Sequence, residues 1–165
     1  MRNFDGFYKG IDLGGWISQC GKNYNDEHYS TFITEKDIEK IASMGLDHVR
    51  MPVDYNVIQT EDGKLIESGM AYIENCVNWC KKHGLNIVID LHKTCGYIFD
   101  DPTYCGFFAN EKLQDQFVYL WQEIAKRYGN DEHIAFELLN EITSADFTEP
   151  WNKIASRTVK EIRKI

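Results

Sequence analysis

The stretch AFELLNEI, residues 135–142, ends an apolar run on an amide and a carboxylate, Asn140 and Glu141. Phe136, Leu138 and Leu139 have the character of core residues. Glu137 and Glu141 lie four positions apart, so on an extended strand both point to one face. A carboxylate turned toward a sheet interior costs several kcal/mol unless it is paired or put to chemical use. Glu141 therefore reads either as a surface residue capping a strand or as an acid that moves a proton.

Three earlier apolar runs carry ionisable groups by the same parity. At about residues 7–14, Asp12 opposes Ile11 and Leu13. In DHVRMPV, His48 and Arg50 oppose Val49, Met51 and Val53. In NIVIDLH, Asp90 and His92 oppose Ile87, Ile89 and Leu91. Asp12, Asp90 and Glu137 are mid-strand and read as structural partners of Arg50. The arginine can also fix a further carboxylate through its forked donors. His92 ends its strand beside an aromatic loop, residues 93–109, and reads as functional; Tyr97 in that loop is a candidate substrate contact. Trp16, after a Gly-Gly turn, fits either a sugar platform or a rim plug. His28, His83 and His133 read as solvated residues of loops or turns.

Amphipathic helices separate these runs. Thr34 with Asp37 forms an N-cap signal ahead of Ile38, Ile41 and Ala42. A helix from about Gly69 to His83 turns Ile73, Cys76, Val77 and Cys80 inward. Asn110 caps a long helix whose Leu113, Phe117, Leu120, Trp121, Ile124 and Tyr128 repeat at 3.6 residues, and Gly129 is expected to stop it. The last helix has Pro150 in its first turn. Strand–helix alternation predicts an α/β fold of parallel βαβ units. No G-x-G-x-x-G follows the first strand, which argues against a dinucleotide fold. A doubly wound sheet would be apolar on both faces. A barrel accommodates a polar face, because its interior near the carboxyl ends of the strands is where barrel chemistry sits.

Length and charge narrow the function. At 165 residues the chain suits one domain, 1–165. Eighteen Lys and Arg against 26 Asp and Glu give a net charge of −8, which argues against nucleic acid and anionic membranes as partners. No apolar run reaches the roughly 18 residues of a transmembrane helix. No leader is visible at the start, so localisation stays open: extracellular if one has been removed, cytoplasmic otherwise. Five cysteines, an odd number, do not suggest a disulfide framework. Cys76 and Cys80 stand one helical turn apart without further ligands and read as buried thiols, so neither a metal nor a cofactor is expected.

With these residues in place, the chain resembles family 5 of the glycoside hydrolases, the cellulase family, and within it clostridial-type endoglucanases. The resemblance is carried by KGIDLGGWISQ, FITEKDIEKIASMGLDHVRMPVDY, YIENCVNWCKKHGLNIVIDLHK and HIAFELLNE. It implies that Glu141 is the general acid/base, that Asn140 holds the sugar 2-hydroxyl, that His92 lines the same subsite, and that Arg50 positions the nucleophile. It also implies a retaining mechanism on a β-glucan or cello-oligosaccharide, with no metal. A general acid must be protonated while its partner is ionised, and burial near a second carboxylate raises the pKa of such an acid.

The resemblance covers the four βα units that make the first half of that family's eight-stranded barrel. The nucleophile belongs to strand seven; Glu67, Glu111, Glu149 and Glu161, on loops or helices, do not fit its role. Both sheet edges are expected to be open, with Arg50, Asp90 and Glu137 wet or unpaired. The apolar side of the last helix, around Trp151, Ile154 and Ile162, is expected to lack its next neighbour. A C-terminal half-barrel or a second copy in a homodimer would close the ring. The alternative is a non-catalytic half-barrel that self-associates or binds sugars weakly.

Overall fold

The computed structural model describes residues 4–101 and 103–165. Its elements run β1 (Gly10–Asp12), α1 (Asp26–Thr31), α2 (Glu35–Ser43), β2 (His48–Asp54), α3 (Tyr55–Ile58), α4 (Glu67–His83), β3 (Asn86–Lys93), α5 (Glu111–Tyr128), β4 (Ile134–Glu137) and α6 (Thr148–Ile162). The strands form one sheet in the order β1-β2-β3-β4, every pair parallel. This is the expected half of a (β/α) barrel.

Alternation sorts the faces. Val49, Met51, Val53, Ile87, Ile89 and Leu91 are buried on the helix side, against α4 residues such as Ile73 and Cys76 and α5 residues such as Phe117 and Trp121. Fully burying each such side chain contributes about 1.5–3 kcal/mol. The helix starts follow the sequence signals. Thr34 and Asp37 close a capping box, and the Asn110 side chain accepts from the backbone N–H groups of Lys112 and Leu113. Gly129 ends α5, but at φ −63° rather than in the left-handed region. What glycine supplies there is space, since a Cβ would lie 2.6 Å from the Ala125 carbonyl oxygen.

Two expectations are corrected. β1 is three residues long because the Asp47 carboxylate, not a strand, takes the N–H groups of Tyr8 and Lys9. The chain then bulges at Gly14 and Gly15, the latter at φ 77°, and rejoins β2 where Ile17 bridges Val53. The apolar side of α6 packs back on the preceding helix: Ile154 is buried and Trp151 meets Phe117 edge-on at 6.2 Å, on α5. Ile11 is the residue left uncovered at the β1 edge, 44% exposed. Nor are Arg50, Asp90 and Glu137 unpaired; they bind one another.

Candidate functional site

Register explains how one arginine gathers three acids. Asp12 pairs with Arg50, whereas Asp90 pairs with Pro52 on one side and Glu137 on the other. Arg50 thus starts two residues nearer the amino end than Pro52, and its long stem carries the guanidinium up to the level of Asp90 and Glu137. Nε and Nη2 donate to the two Glu137 carboxylate oxygens, each at 2.7 Å. Nη2 also lies 2.8 Å from Asp90 Oδ2 and donates to Asn140 Oδ1 at 3.0 Å. Nη1 donates to Asp12 Oδ1 at 3.1 Å. Hydrogen bonding to Glu137, with the charge of Asp90 and the hydrogen bond to Asp12, raises the guanidinium pKa against the opposing effect of burial.

Asp90 is fully buried and joins the second half of the cluster. Its Oδ2 lies 2.7 Å from His92 Nδ1. Burial pushes its carboxyl above the usual carboxylate range, and the Glu137 charge adds to that; His92 and Arg50 act in the other direction. A carboxylate only accepts, so His92 Nδ1 carries a proton toward Asp90, and in the neutral tautomer this selects, Nε2 is the acceptor. A guanidinium only donates, so the Asn140 atom facing it is Oδ1, and Nδ2 points away. Asp90 Oδ1, His92 Nε2 and Asn140 Nδ2 are all buried without a hydrogen-bond partner. Buried polar groups are rarely left so, and each of these atoms can take an ordered water or a ligand hydroxyl.

β4 ends at Glu137 because its continuation turns aside. The Leu138 carbonyl accepts from Trp121 Nε1, and the Asn140 N–H returns to the Leu91 carbonyl at 3.1 Å. Glu141 follows with φ 39°, a left-handed conformation unfavourable for a residue with a Cβ. Strand parity therefore does not extend from Glu137 to Glu141. Glu141 is exposed.

The structure brings Arg50, Asn140 and His92 into one cluster, with Glu141 next to Asn140 in the chain. Two predicted substrate contacts are corrected. Trp16 is fully buried, donates from Nε1 to the Tyr29 carbonyl at 2.7 Å and stacks on Trp79, so it plugs the core and offers no platform. The Gly14–Gly15 bulge turns it inward. Tyr97 is 2% exposed; its hydroxyl donates to the Glu141 carbonyl at 2.6 Å rather than facing a substrate.

Sequence reasoning missed a second network at the same end of the sheet. Asp54 and Lys93 close β2 and β3, and a register shift after Val53 sets them opposite each other, Nζ 3.4 Å from Oδ2. The Asp54 carboxylate also accepts from Ser18 Oγ at 2.7 Å, from the Gln19 N–H at 3.0 Å and from the Tyr24 hydroxyl. An acid and a base each ending a neighbouring strand was the available signal. A groove of about 880 Å³ along α6, lined by residues including Asp146, Asn152, Lys153 and Lys160, contains none of the predicted site residues. Among the described residues no group of three His, Cys, Asp or Glu is placed to hold a metal ion, and no helix is long and apolar enough to cross a membrane.

Helices on one face of a parallel sheet, and a charged cluster on the other toward the carboxyl ends, match half of a (β/α) barrel. Cellulase (glycosyl hydrolase family 5) matches residues 12–165, and the chain belongs to that family. It is 50% identical over 163 residues to cellodextrinase A of Ruminococcus flavefaciens, covering 97% of this chain and 48% of that protein. It is 50% identical over 162 residues to endoglucanase C of Acetivibrio thermocellus, covering 96% and 47%. The crystal structure of endoglucanase Cel5A from the hyperthermophilic Thermotoga maritima is similar with a TM-score of 0.77 and 25% identity, over 97% of this chain and 48% of that one. The chain spans about half the length of the curated relatives it matches.

Proposed function

We propose that this chain is a single half-barrel domain, 1–165, that supplies the acid/base half of a retaining β-1,4-glucan hydrolase. The observation that carries the reading is the pair of buried, unpartnered atoms, His92 Nε2 and Asn140 Nδ2, the latter on the residue before Glu141 in the chain. One is an acceptor and one a donor, a combination suited to a neutral sugar hydroxyl. Asn140, its orientation fixed by Arg50, donates to the sugar 2-hydroxyl at the cleavage point. His92, its tautomer fixed by Asp90, accepts from a hydroxyl in the same subsite. Glu141 protonates the departing glycosidic oxygen and then deprotonates the attacking water. The relatives named a cellodextrinase and endoglucanases support a cello-oligosaccharide or β-glucan as substrate.

A retaining glycosidase needs a second carboxylate about 5–5.5 Å from the acid. Asp12, Asp90 and Glu137 are engaged by Arg50 and do not serve. The nucleophile therefore comes from a complementing C-terminal half-barrel, whose strands would also pair with the β1 and β4 edges. A second copy of this chain would close a ring, but it would bring another Glu141 and no nucleophile. A second reading, a half-barrel that binds sugar without turnover, is favoured by this lack of a free carboxylate in the cluster.

The test is hydrolysis of a soluble β-1,4-glucan by the chain alone and mixed with a complementing half. Activity in the mixture alone is expected. Confirmed association without activity contradicts catalysis, and cello-oligosaccharide binding by calorimetry without turnover then supports the second reading.

A further inference from the structure

We infer that Tyr97 is a positioning residue for Glu141, acting through the backbone of the loop that follows β4. The inference rests on the acid/base role proposed for Glu141 and adds what holds that carboxylate in place. Glu141 sits at φ 39°, and a left-handed conformation unfavourable for a non-glycine residue persists only where its surroundings enforce it. The Tyr97 hydroxyl provides the enforcement. It donates to the Glu141 carbonyl at 2.6 Å and accepts from the Thr143 N–H at 3.3 Å, so one side-chain atom spans the peptide units on either side of Ile142.

The anchor itself is rigid. Tyr97 ends a tight turn in which its N–H and the Thr94 N–H each bond the other residue's carbonyl, at 2.9 and 3.2 Å. Gly96 sits at φ 85° in that turn, and a Cβ there would meet Phe107 N at 2.9 Å and Leu113 Cδ1 at 2.5 Å. The Tyr97 ring meets Phe108 and Phe147 edge-on, at 5.0 and 6.0 Å, and those two rings stack on each other at 4.1 Å. Phe108 belongs to the loop after β3 and Phe147 to the segment after Glu141. Three rings thus lock the two loops together, and the hydroxyl sets the backbone from which the Glu141 side chain leaves.

Tyr97→Phe removes the two hydrogen bonds and keeps the ring. In the complemented assembly the variant should lose about tenfold in kcat on a cello-oligosaccharide, whose leaving group needs protonation. It should lose about twofold or less on an aryl β-cellobioside with an acidic phenol, with little change in KM. Glu141→Gln is the control. If Glu141→Gln discriminates between the substrates and Tyr97→Phe loses equally on both, the positioning role is wrong while the acid/base reading stands. If Glu141→Gln itself does not discriminate, the acid/base reading falls and takes this inference with it. A second measurement needs no turnover. Amide exchange in this chain should be about tenfold faster at Thr143 in Tyr97→Phe, with β3 amides unchanged. Unaltered exchange at Thr143 overturns the inference.

Discussion

Arg50 and Glu137 meet in a two-pronged contact, Nε and Nη2 of the guanidinium each 2.7 Å from one carboxylate oxygen. The residues lie 87 positions apart, on β2 and β4, with β3 between them. The contact therefore crosses the polar face of the sheet and also sets where Nη2 stands for Asp90 and Asn140. Lysine retains the charge but offers one compact ammonium, which cannot reproduce the fork. Arg50→Lys should lower stability by about 2 kcal/mol, since charge-assisted hydrogen bonds to Glu137 and Asn140 are lost together. Urea unfolding at pH 7 measures it; an unchanged midpoint would show that the fork carries no stability.

Asp90 gives the cluster a pH signature. Its folded pKa is raised, first by burial, above the ordinary aspartate value of about 3.9. Between those two values the folded state holds the proton more than the unfolded chain does. The contribution of Asp90 to stability is therefore full below the unfolded value and is lost as pH rises through the folded value. Asp90→Asn cannot titrate, so the stability gap between parent and variant should narrow from pH 4 to pH 7. Paired urea titrations at those two pH values test this, and a gap that widens would reverse the assigned sign.

Open edges predict association. Among the described residues β1 and β4 each have one side without a strand partner, and Ile11 is exposed at the β1 edge. Unpaired N–H and C=O groups on a parallel edge recruit another chain. Light scattering of this chain alone at micromolar concentration should give a mass above that of one copy. A sharp monomer mass with cooperative unfolding would contradict this and would make the sheet self-sufficient.

Periodicity made much of the fold legible. Alternation in 48–54 and 86–93 assigned the buried and polar faces, and with the parity of the flanking strands it grouped Asp12, Asp90 and Glu137 around Arg50. Capping chemistry at Thr34 and Asn110 placed two helix starts. Failures came where a side chain or a bulge replaced regular backbone. Asp47 took the N–H groups that would have lengthened β1. The Gly14–Gly15 bulge reversed Trp16, and the left-handed Glu141 ended the parity counted from Glu137. Tyr97 reaches Glu141 across 44 residues, and no local pattern encodes such a contact. Asp54 and Lys93 became partners only through a register shift that alternation does not reveal.

The proposal that Glu141 is the proton donor is tested most directly by Glu141→Gln in the complemented assembly, assayed on two substrates that differ only in leaving group. An acid is needed where the departing oxygen is basic and much less where it is a stabilised phenolate. The substitution should cost about 10²-fold or more on a cello-oligosaccharide and far less on an aryl β-cellobioside with an acidic phenol. Equal losses on both would contradict the assignment of Glu141 as the acid.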